Sequence, residues 1–120
     1  MQFWIEGGWV MWPTTVFGLV LLGAAGHFAW SAEMLRLRFI VAMSALMSVT
    51  IAHGTLTDVG AVFQYLSTRE IPEGQFGIIL CQGLMESTRP AGLGGAFMVL
   101  ALVLTAVGVH RATQRELRAR

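Results

Sequence analysis

Lysine is absent from this 120-residue chain, and charge of either sign is scarce. Only 12% of the residues are charged, whereas a soluble domain carries about 25%. The basic residues, all of them arginines, are nearly balanced by acidic ones, which gives a formal net charge of +1. This composition argues against a soluble domain, and it gives no indication of a nucleic-acid partner.

Cysteine is represented by Cys81 alone, which excludes a disulfide bond within the chain. A single cysteine also lacks the partners that zinc-site spacings require. We therefore interpret Cys81 as a small apolar helix residue, and we predict no metal site and no cofactor. No catalytic residues are predicted either, so the chain is not expected to be an enzyme.

Hydrophobic residues, by contrast, make up 55% of the sequence, and the mean hydropathy is +0.65. They gather in three stretches, each with the roughly 20 residues that a helix needs to cross a hydrocarbon core of about 30 Å. We predict an all-α integral membrane protein with one domain, residues 1–120, and spans at about 10–31, 39–66 and 91–110. Glu6 stands where a signal peptide would carry positive charge, so the first span is expected to be retained.

The segment between the second and third spans has two parts. Residues 67–77, which contain Pro72, are predicted to be irregular. Residues at about 76–89 are predicted to form a short interfacial helix. Pro90 should kink this helix or restart it as the third span.

Arginine placement predicts the orientation. The first connection, SAEMLRLR, and the C-terminal tail, HRATQRELRAR, are rich in arginine, and three spans place them on the same side. By the positive-inside rule that side is cytoplasmic, so the N-terminus lies outside. Aromatic residues agree with this orientation, with an outer belt of Trp4, Trp9 and Trp12 and an inner anchor at Trp30. Pro13 suits the first helical turn.

The second span carries the strongest functional signal, because polar residues occupy two of its faces. At 100° per residue, one arc holds Thr50, His53, Thr57, Gly60 and Gln64. A second arc holds Ser44, Ser48, Thr55 and Asp58. The remaining apolar face, assigned to lipid or to close packing, holds Ala45, Val49, Ala52, Leu56, Val59 and Phe63. Polar groups in hydrocarbon need partners or water, so we expect protein or a cavity around much of this helix.

Each polar residue also has a purely structural interpretation. A serine or threonine hydroxyl often bonds a backbone carbonyl one turn earlier. His53 is either a neutral, packed imidazole or a titrating group that faces a pore. Asp58 would cost about 3 kcal/mol or more at mid-depth, but little near the outer interface. Glu86 and Arg89 have the spacing of an i,i+3 ion pair.

Small residues at helix-packing spacing favour an oligomer. The pairs Gly92/Ala96 and Ala91/Gly95 each place two small residues one turn apart, which lets helix backbones approach closely in lipid. Gly60, Gly92 and Gly95 are predicted to pack against neighbouring helices. Three thin helices bury little by themselves, so we expect several copies of the chain to assemble.

Three motifs resemble the MotA/TolQ/ExbB family of proton-channel stator subunits, specifically its ExbB/TolQ branch. GGWVMWPTT resembles the Gly-Gly-x-x-Met-x-Pro opening of that branch's first transmembrane helix. GTLTDVGAVFQYL resembles its second-helix motif Leu-Gly-Thr-Val-x-Gly-Met-x-x-Ala-Phe, with Leu56, Thr57 and Gly60 in register and Asp58 in place of valine. GLMESTRPAGLGGA resembles its Gly-Ile-x-Glu-Ala-Leu entry to the last helix, with Gly83 and Glu86 matching.

The resemblance implies a pentameric ring of identical subunits in the bacterial inner membrane, around a single-span partner of the ExbD/TolR/MotB kind. It implies that a partner aspartate carries the proton, that Thr57 lines the path and that Glu86 lies at the pore entry. The helical arcs add Thr50, His53, Asp58 and Gln64 to the predicted ion path. Two features depart from the family. Its large cytoplasmic region is reduced to SAEMLRLR, and its second pore threonine falls on Ala91.

Two other functions stay open at this point. A non-conducting membrane scaffold, or an accessory subunit of a larger complex, suits the short chain, the missing threonine and the small-residue surface. Such a scaffold would tolerate Asp58→Asn and His53→Ala, whereas an ion path would not. A small transporter with its own carboxylate fits less well, because three spans lack the internal duplication of transporter folds.

Overall fold

The computed structural model describes residues 8–119, and within them the chain is helical without any strand. The helices are α1 (Met11–Ser31), α2 (Met34–Thr68), α3 (Phe76–Ser87) and α4 (Arg89–Ala119). Three helical segments are long and apolar enough to cross a membrane, namely α1, α2 and the combined segment Phe76–Ala119. The prediction of an all-helical, multi-pass membrane fold is therefore confirmed.

The connection between α1 and α2 is much tighter than the sequence suggested. Ala32 adopts a left-handed conformation (φ 54°), and its backbone N–H donates to the Phe28 carbonyl at 2.8 Å, which ends α1. Glu33 is extended, and its carboxylate accepts a hydrogen bond from Arg36 Nε at 2.9 Å. Most of the segment predicted as a connection is therefore the first turn of α2, which starts at Met34 rather than at about residue 39.

The segment predicted as a short interfacial helix is helical, as α3, but it is barely separated from α4, and its position at a membrane interface stays a prediction. Thr88 stays right-handed helical, with φ −84° and ψ −10°, and its carbonyl accepts from the Gly92 backbone N–H at 2.9 Å. Pro90 is tolerated here because it sits at the start of α4, where a missing N–H costs little. The two helices thus make a 44-residue helical segment with one irregular residue.

The core is a seam between α1 and α4, the most extensive contact in the bundle. Buried residues on α1 recur every three or four positions and so lie on one face: Met11, Thr14, Gly18, Leu21, Ala25 and Phe28. Two glycines allow the close approach. An added Cβ at Gly18 would overlap the Phe97 ring, and an added Cβ at Gly108 would meet Phe28. These contacts show that α1 and α4 run parallel.

Helix α2 runs antiparallel to both, which gives the bundle two distinct ends. At one end, Gly8 and Val10 lie against Asp58 and Gly54 of α2. We call this the acidic end; it also holds α3. At the other end, Arg111 of α4 hydrogen-bonds to the last turn of α1. We call this the basic end, and it comprises the end of α1, the start of α2 and the end of α4.

The bundle is thin and leaves most of its apolar side chains uncovered. Its extents are 73 × 23 × 18 Å, and large hydrophobic residues such as Leu35 (79%) and Leu56 (72%) are mostly exposed. A surface of this kind belongs in contact with lipid or with other protein chains.

Candidate functional site

Asp58 and Glu86, which are distant in the sequence, line the same small pocket at the acidic end. The pocket has a volume of about 160 Å³, and its other lining residues are Gly8, Val62, Gly83 and Ser87. Helix α3 reaches α2 at this point because Gly83 has no side chain: an added Cβ would lie 2.7 Å from Val62 Cγ2. We call this cavity the Asp58 pocket.

Asp58 lies level with the beginning of α1. A Cβ built on Gly8, which has a positive φ of 68°, would be 3.8 Å from Asp58 Oδ1. Gly8 precedes Trp9 and Trp12, the aromatic residues at the start of α1. Trp12 and Trp30 are separated by about 27 Å of helix at 1.5 Å per residue, close to the thickness of a hydrocarbon core. Asp58 therefore lies beside one end of the apolar part of α1 and not beside its middle.

Glu86 is held from its own helix. Its Oε1 accepts a hydrogen bond from Gln82 Nε2 at 3.3 Å, and the neighbouring Ser87 hydroxyl donates to the Gly83 carbonyl at 2.8 Å. A second cavity of about 330 Å³ adjoins the Asp58 pocket through Val62, Gly83 and Glu86. This second cavity also reaches Tyr65 of α2 and Gln82 of α3, so polar side chains continue along the groove between these two helices.

The predicted polar arc of α2 forms a surface stripe, which we call the polar stripe: Thr50, His53, Thr57, Gly60 and Gln64. Thr50 is half-buried and the other members are exposed. Both threonine hydroxyls bond to a carbonyl one turn earlier, Thr50 to Leu46 at 2.9 Å and Thr57 to His53 at 2.8 Å. Among residues 8–119, the His53 ring and the Gln64 amide have no side-chain hydrogen bond. The structural interpretation thus fits the hydroxyls, but not these two groups.

The polar stripe covers only one half of α2. Gly54 packs against Val10 at the start of α1, and Ile51 packs against Gly94 at the start of α4. Toward the basic end, the same face of α2 continues with Leu46, Met43 and Phe39, which are apolar.

The apolar face of α2, which was assigned to lipid or to close packing, is exposed, with Val49, Leu56 and Phe63 between 55% and 72% accessible.

The glycines that let helices approach within the chain are not those predicted to pack. A Cβ added at Gly60, Gly92 or Gly95 would meet no atom of residues 8–119 within 4 Å. The glycines in close contact are Gly18, Gly54, Gly83, Gly94 and Gly108. The sequence feature that could have indicated these glycines is that each lies on the face of its helix that packs against a neighbouring helix. The predicted roles of Gly60, Gly92 and Gly95 stay predictions about contacts between chains.

Two buried hydroxyls have no hydrogen-bond partner among the described residues, and only one of them, that of Thr55, belongs to a polar arc predicted from the sequence. Thr14 is completely buried in the α1 seam, and neither its Oγ1 nor that of Thr55 has a hydrogen-bond partner in the part of the chain that the structure describes. Thr15 next to it, by contrast, donates to the Met11 carbonyl at 2.8 Å. The signal for Thr14 was its position in the three-four spacing of the seam.

The predicted interface anchors flank α1. Trp9 (70% exposed) and Trp12 (67%) lie at its beginning with Pro13, and Trp30 (80%) lies at its end. Trp4 falls outside the described residues. Cys81 is a free, exposed cysteine on α3, and residues 8–119 contain no group of three or more His, Cys, Asp or Glu side chains arranged to hold a metal ion.

Comparison with known proteins gives no assignment. No protein-family model, no curated protein and no solved structure matches the chain.

Proposed function

We propose that this chain is a membrane subunit that assembles with copies of itself around a single-span partner and provides part of a proton path. It would belong to an energy-transducing complex of the MotA/TolQ/ExbB kind, with the basic end in the cytoplasm and α3 near the outer interface. The path would use the polar stripe and the Asp58 pocket.

The observation that carries the proposal is the unpartnered part of the polar stripe. His53 and Gln64 are exposed on the polar stripe, and the described chain gives their side chains no hydrogen bond, whereas the hydroxyls of Thr50 and Thr57 are bonded. An unpaired polar group in hydrocarbon costs several kcal/mol, so such a face needs protein or water against it. A ring of subunits with a central helix supplies both.

In this proposal the chain provides one half of the path, because the polar stripe ends midway along α2. Polar groups run from Gln64 at the acidic end inward to Thr50, where the apolar residues Leu46 and Met43 begin. A proton that enters near Asp58 and Glu86 would reach the middle of the bundle and there would need a carboxylate from the partner. Protonating that carboxylate removes its charge and changes which subunit it prefers, which is a population shift that can drive motion.

A non-conducting scaffold is the second candidate, and one observation favours it. The hydroxyls of Thr50 and Thr57 are already bonded to backbone carbonyls, as in helices where threonine has only a structural role. Ala91, at the position of the family's second pore threonine, also has no hydroxyl. In this case His53 and Gln64 would bond across an interface between chains.

The native complex, extracted in mild detergent with its co-purifying chains, decides between the two candidates. We expect several copies of this chain around a single-span protein with an aspartate in its span, and proton uptake when the complex is placed in vesicles under a membrane potential. Thr57→Val should reduce that uptake at least tenfold. Thr113→Val is the matched control, because its hydroxyl also bonds a carbonyl one turn earlier, at 3.1 Å, but lies at the basic end.

Two results would exclude proton conduction. One is a complex without a single-span partner, and the other is uptake that Thr57→Val, His53→Ala and Asp58→Asn all leave unchanged. Either result would favour the scaffold.

A further inference from the structure

The basic end contains a cationic pocket that the proposed function does not use. It has a volume of about 310 Å³, and its lining residues are His110, Arg111, Gln114, Arg115 and Arg118. All of them lie on the last three turns of α4. None of its lining side chains is acidic, so the pocket presents donors and positive charge.

The pocket forms where α4 extends beyond the end of α1. Ala101, Leu104 and Gly108 face α1 along the seam, and Gly108 packs against Phe28 near the end of α1. The same three-four spacing continues with Arg111, Arg115 and Arg118, but α1 ends at Ser31. The face of α4 that packs against a helix therefore becomes an arginine face where that helix stops.

Two of these guanidinium groups are fixed in place by α1. Arg111 donates to the Ala29 carbonyl at 2.9 Å, and Arg115 donates to the Ser31 carbonyl at 2.7 Å. Each bond uses one of the five N–H donors of the group. The remaining donors of two positioned arginines, together with Arg118, suit a planar or tetrahedral oxyanion such as phosphate.

The level of the pocket points to a lipid as the source of that phosphate. Arg111 bonds to Ala29, which is next to Trp30, a residue 80% exposed at the end of the apolar helix α1. Exposed tryptophan at such a position marks the boundary between hydrocarbon and headgroups. An arginine at that level, and two more within the next two turns, would lie within reach of the phosphates of the adjoining leaflet.

Charge at the basic end is complementary to an anionic leaflet. Its described residues include five arginines against two glutamates: Arg36, Arg38, Arg111, Arg115, Arg118, Glu33 and Glu116. Glu33 is engaged by Arg36 at 2.9 Å, and Glu116 does not line the pocket. We propose that the pocket formed by Arg111, Arg115 and Arg118 binds the phosphate of an anionic phospholipid.

The proposal is tested by mass spectrometry of the intact protein, or of its complex, released from nanodiscs that contain equal amounts of phosphatidylglycerol and phosphatidylcholine. The wild-type chain should retain phosphatidylglycerol over phosphatidylcholine about tenfold. Arg118→Gln should reduce that preference about fivefold, which corresponds to the contribution of one basic residue near a membrane surface. Arg118 is chosen because Arg111 and Arg115 also hold α1.

Three further variants make the result specific. Arg118→Lys keeps the charge and should keep most of the preference, and Gln114→Glu should lower it without removing any arginine. Arg69→Gln, at the acidic end, should leave it unchanged; Arg69 lies over the Tyr65 ring at 5.6 Å from its centroid. Because Gln114→Glu tests the pocket independently, the proposal stays testable if Arg118→Gln does not fold.

Three outcomes would overturn the proposal. The first is equal retention of the two lipids by the wild-type chain. The second is a preference that Arg118→Gln and Gln114→Glu both leave intact. The third is calorimetric binding of inorganic phosphate to protein in phosphatidylcholine nanodiscs that disappears in Arg118→Gln, without any preference among lipids. That third result would assign the pocket to a free anion. None of the three depends on whether the chain conducts protons.

Discussion

The two ends of the bundle use their polar residues in opposite ways. At the basic end, Arg111 and Arg115 satisfy the last carbonyls of α1, which a helix leaves without partners. At the acidic end, Asp58 and Glu86 line an open pocket, and His53 and Gln64 are left without hydrogen bonds by the described chain. At the basic end, polar groups bond to the end of a neighbouring helix, whereas at the acidic end they are available to water or to another chain.

The close contacts between helices also differ between the two ends, because a backbone atom takes part at one end and a side chain at the other. At the basic end, a Cβ on Gly108 would meet the Phe28 ring and, at 3.1 Å, the Phe28 carbonyl oxygen. At the acidic end, the three described atoms nearest to a Cβ on Gly83 all belong to the side chain of Val62. A backbone atom cannot turn away, but a valine side chain has other rotamers. The α1–α4 contact is therefore the rigid one.

The largest expected effect on stability is that of a glycine-to-alanine substitution at the basic end, compared with the same substitution at the acidic end. Gly108→Ala should destabilise the fold by about 2 kcal/mol, since overpacking a tight contact typically costs 1–3 kcal/mol. Gly83→Ala should cost less than about 1 kcal/mol, because Val62 can move and alanine favours helix over glycine. The measurement is the midpoint of thermal unfolding in detergent, followed by circular dichroism.

Gly23→Ala provides the control for this pair, because a Cβ at Gly23 would meet no atom within 4 Å in the described part of the chain. It should leave the midpoint unchanged or raise it. Equal losses at Gly108 and Gly83 would contradict the distinction between a rigid and an adaptable end.

A smaller effect is expected from the arginines of the basic end. Arg111→Gln removes the hydrogen bond to the Ala29 carbonyl and should lower stability by about 1 kcal/mol, the usual net value for such a bond at an exposed position. Arg118→Gln, on the same face but with no bond to α1 among the described residues, should lower it by less than about 0.5 kcal/mol. Both values come from the thermal midpoint under identical conditions. If the two variants lost the same stability, the attraction between arginine charge and the C-terminal ends of the helices, rather than the single hydrogen bond to Ala29, would stabilise this end.

Much of the fold could be predicted from the length and composition of the apolar stretches, and the parts that could not be predicted have physical reasons. Span length and composition predicted three apolar helices, because these properties depend on the sequence alone. The start of α2 was placed late, because a left-handed Ala32 is a conformation that alanine rarely adopts and that no sequence pattern announces. Pro90 predicted a kink or a restart of the helix, yet Phe76–Ala119 is one helical segment with a single irregular residue, because a proline in a first helical turn lacks only an N–H that would be unpaired there anyway.

The candidate site could be predicted only in part. The helical wheel brought Thr50, His53, Thr57 and Gln64 onto one face, since residues of one helix have a fixed geometry. It could not bring Asp58 together with Glu86, because that contact depends on how closely α3 approaches α2. The approach depends in turn on Gly83 meeting Val62, a pairing between helices that composition does not encode.

The smallest expected effect concerns the buried Thr14 hydroxyl in the half of α1 nearest the acidic end. Thr14→Val has nearly the same shape and removes a hydroxyl that has no partner in the described chain, so it should raise stability by about 0.5 kcal/mol. Thr15→Val should instead lower stability slightly, because Thr15 donates to the Met11 carbonyl at 2.8 Å. The comparison requires the isolated chain and the assembled complex, each followed by its thermal midpoint. If Thr14→Val stabilises the chain but weakens the assembly, the hydroxyl is bonded by another subunit. If it destabilises both, Thr14 has a partner within the fold, and the acidic end satisfies its polar groups as fully as the basic end does.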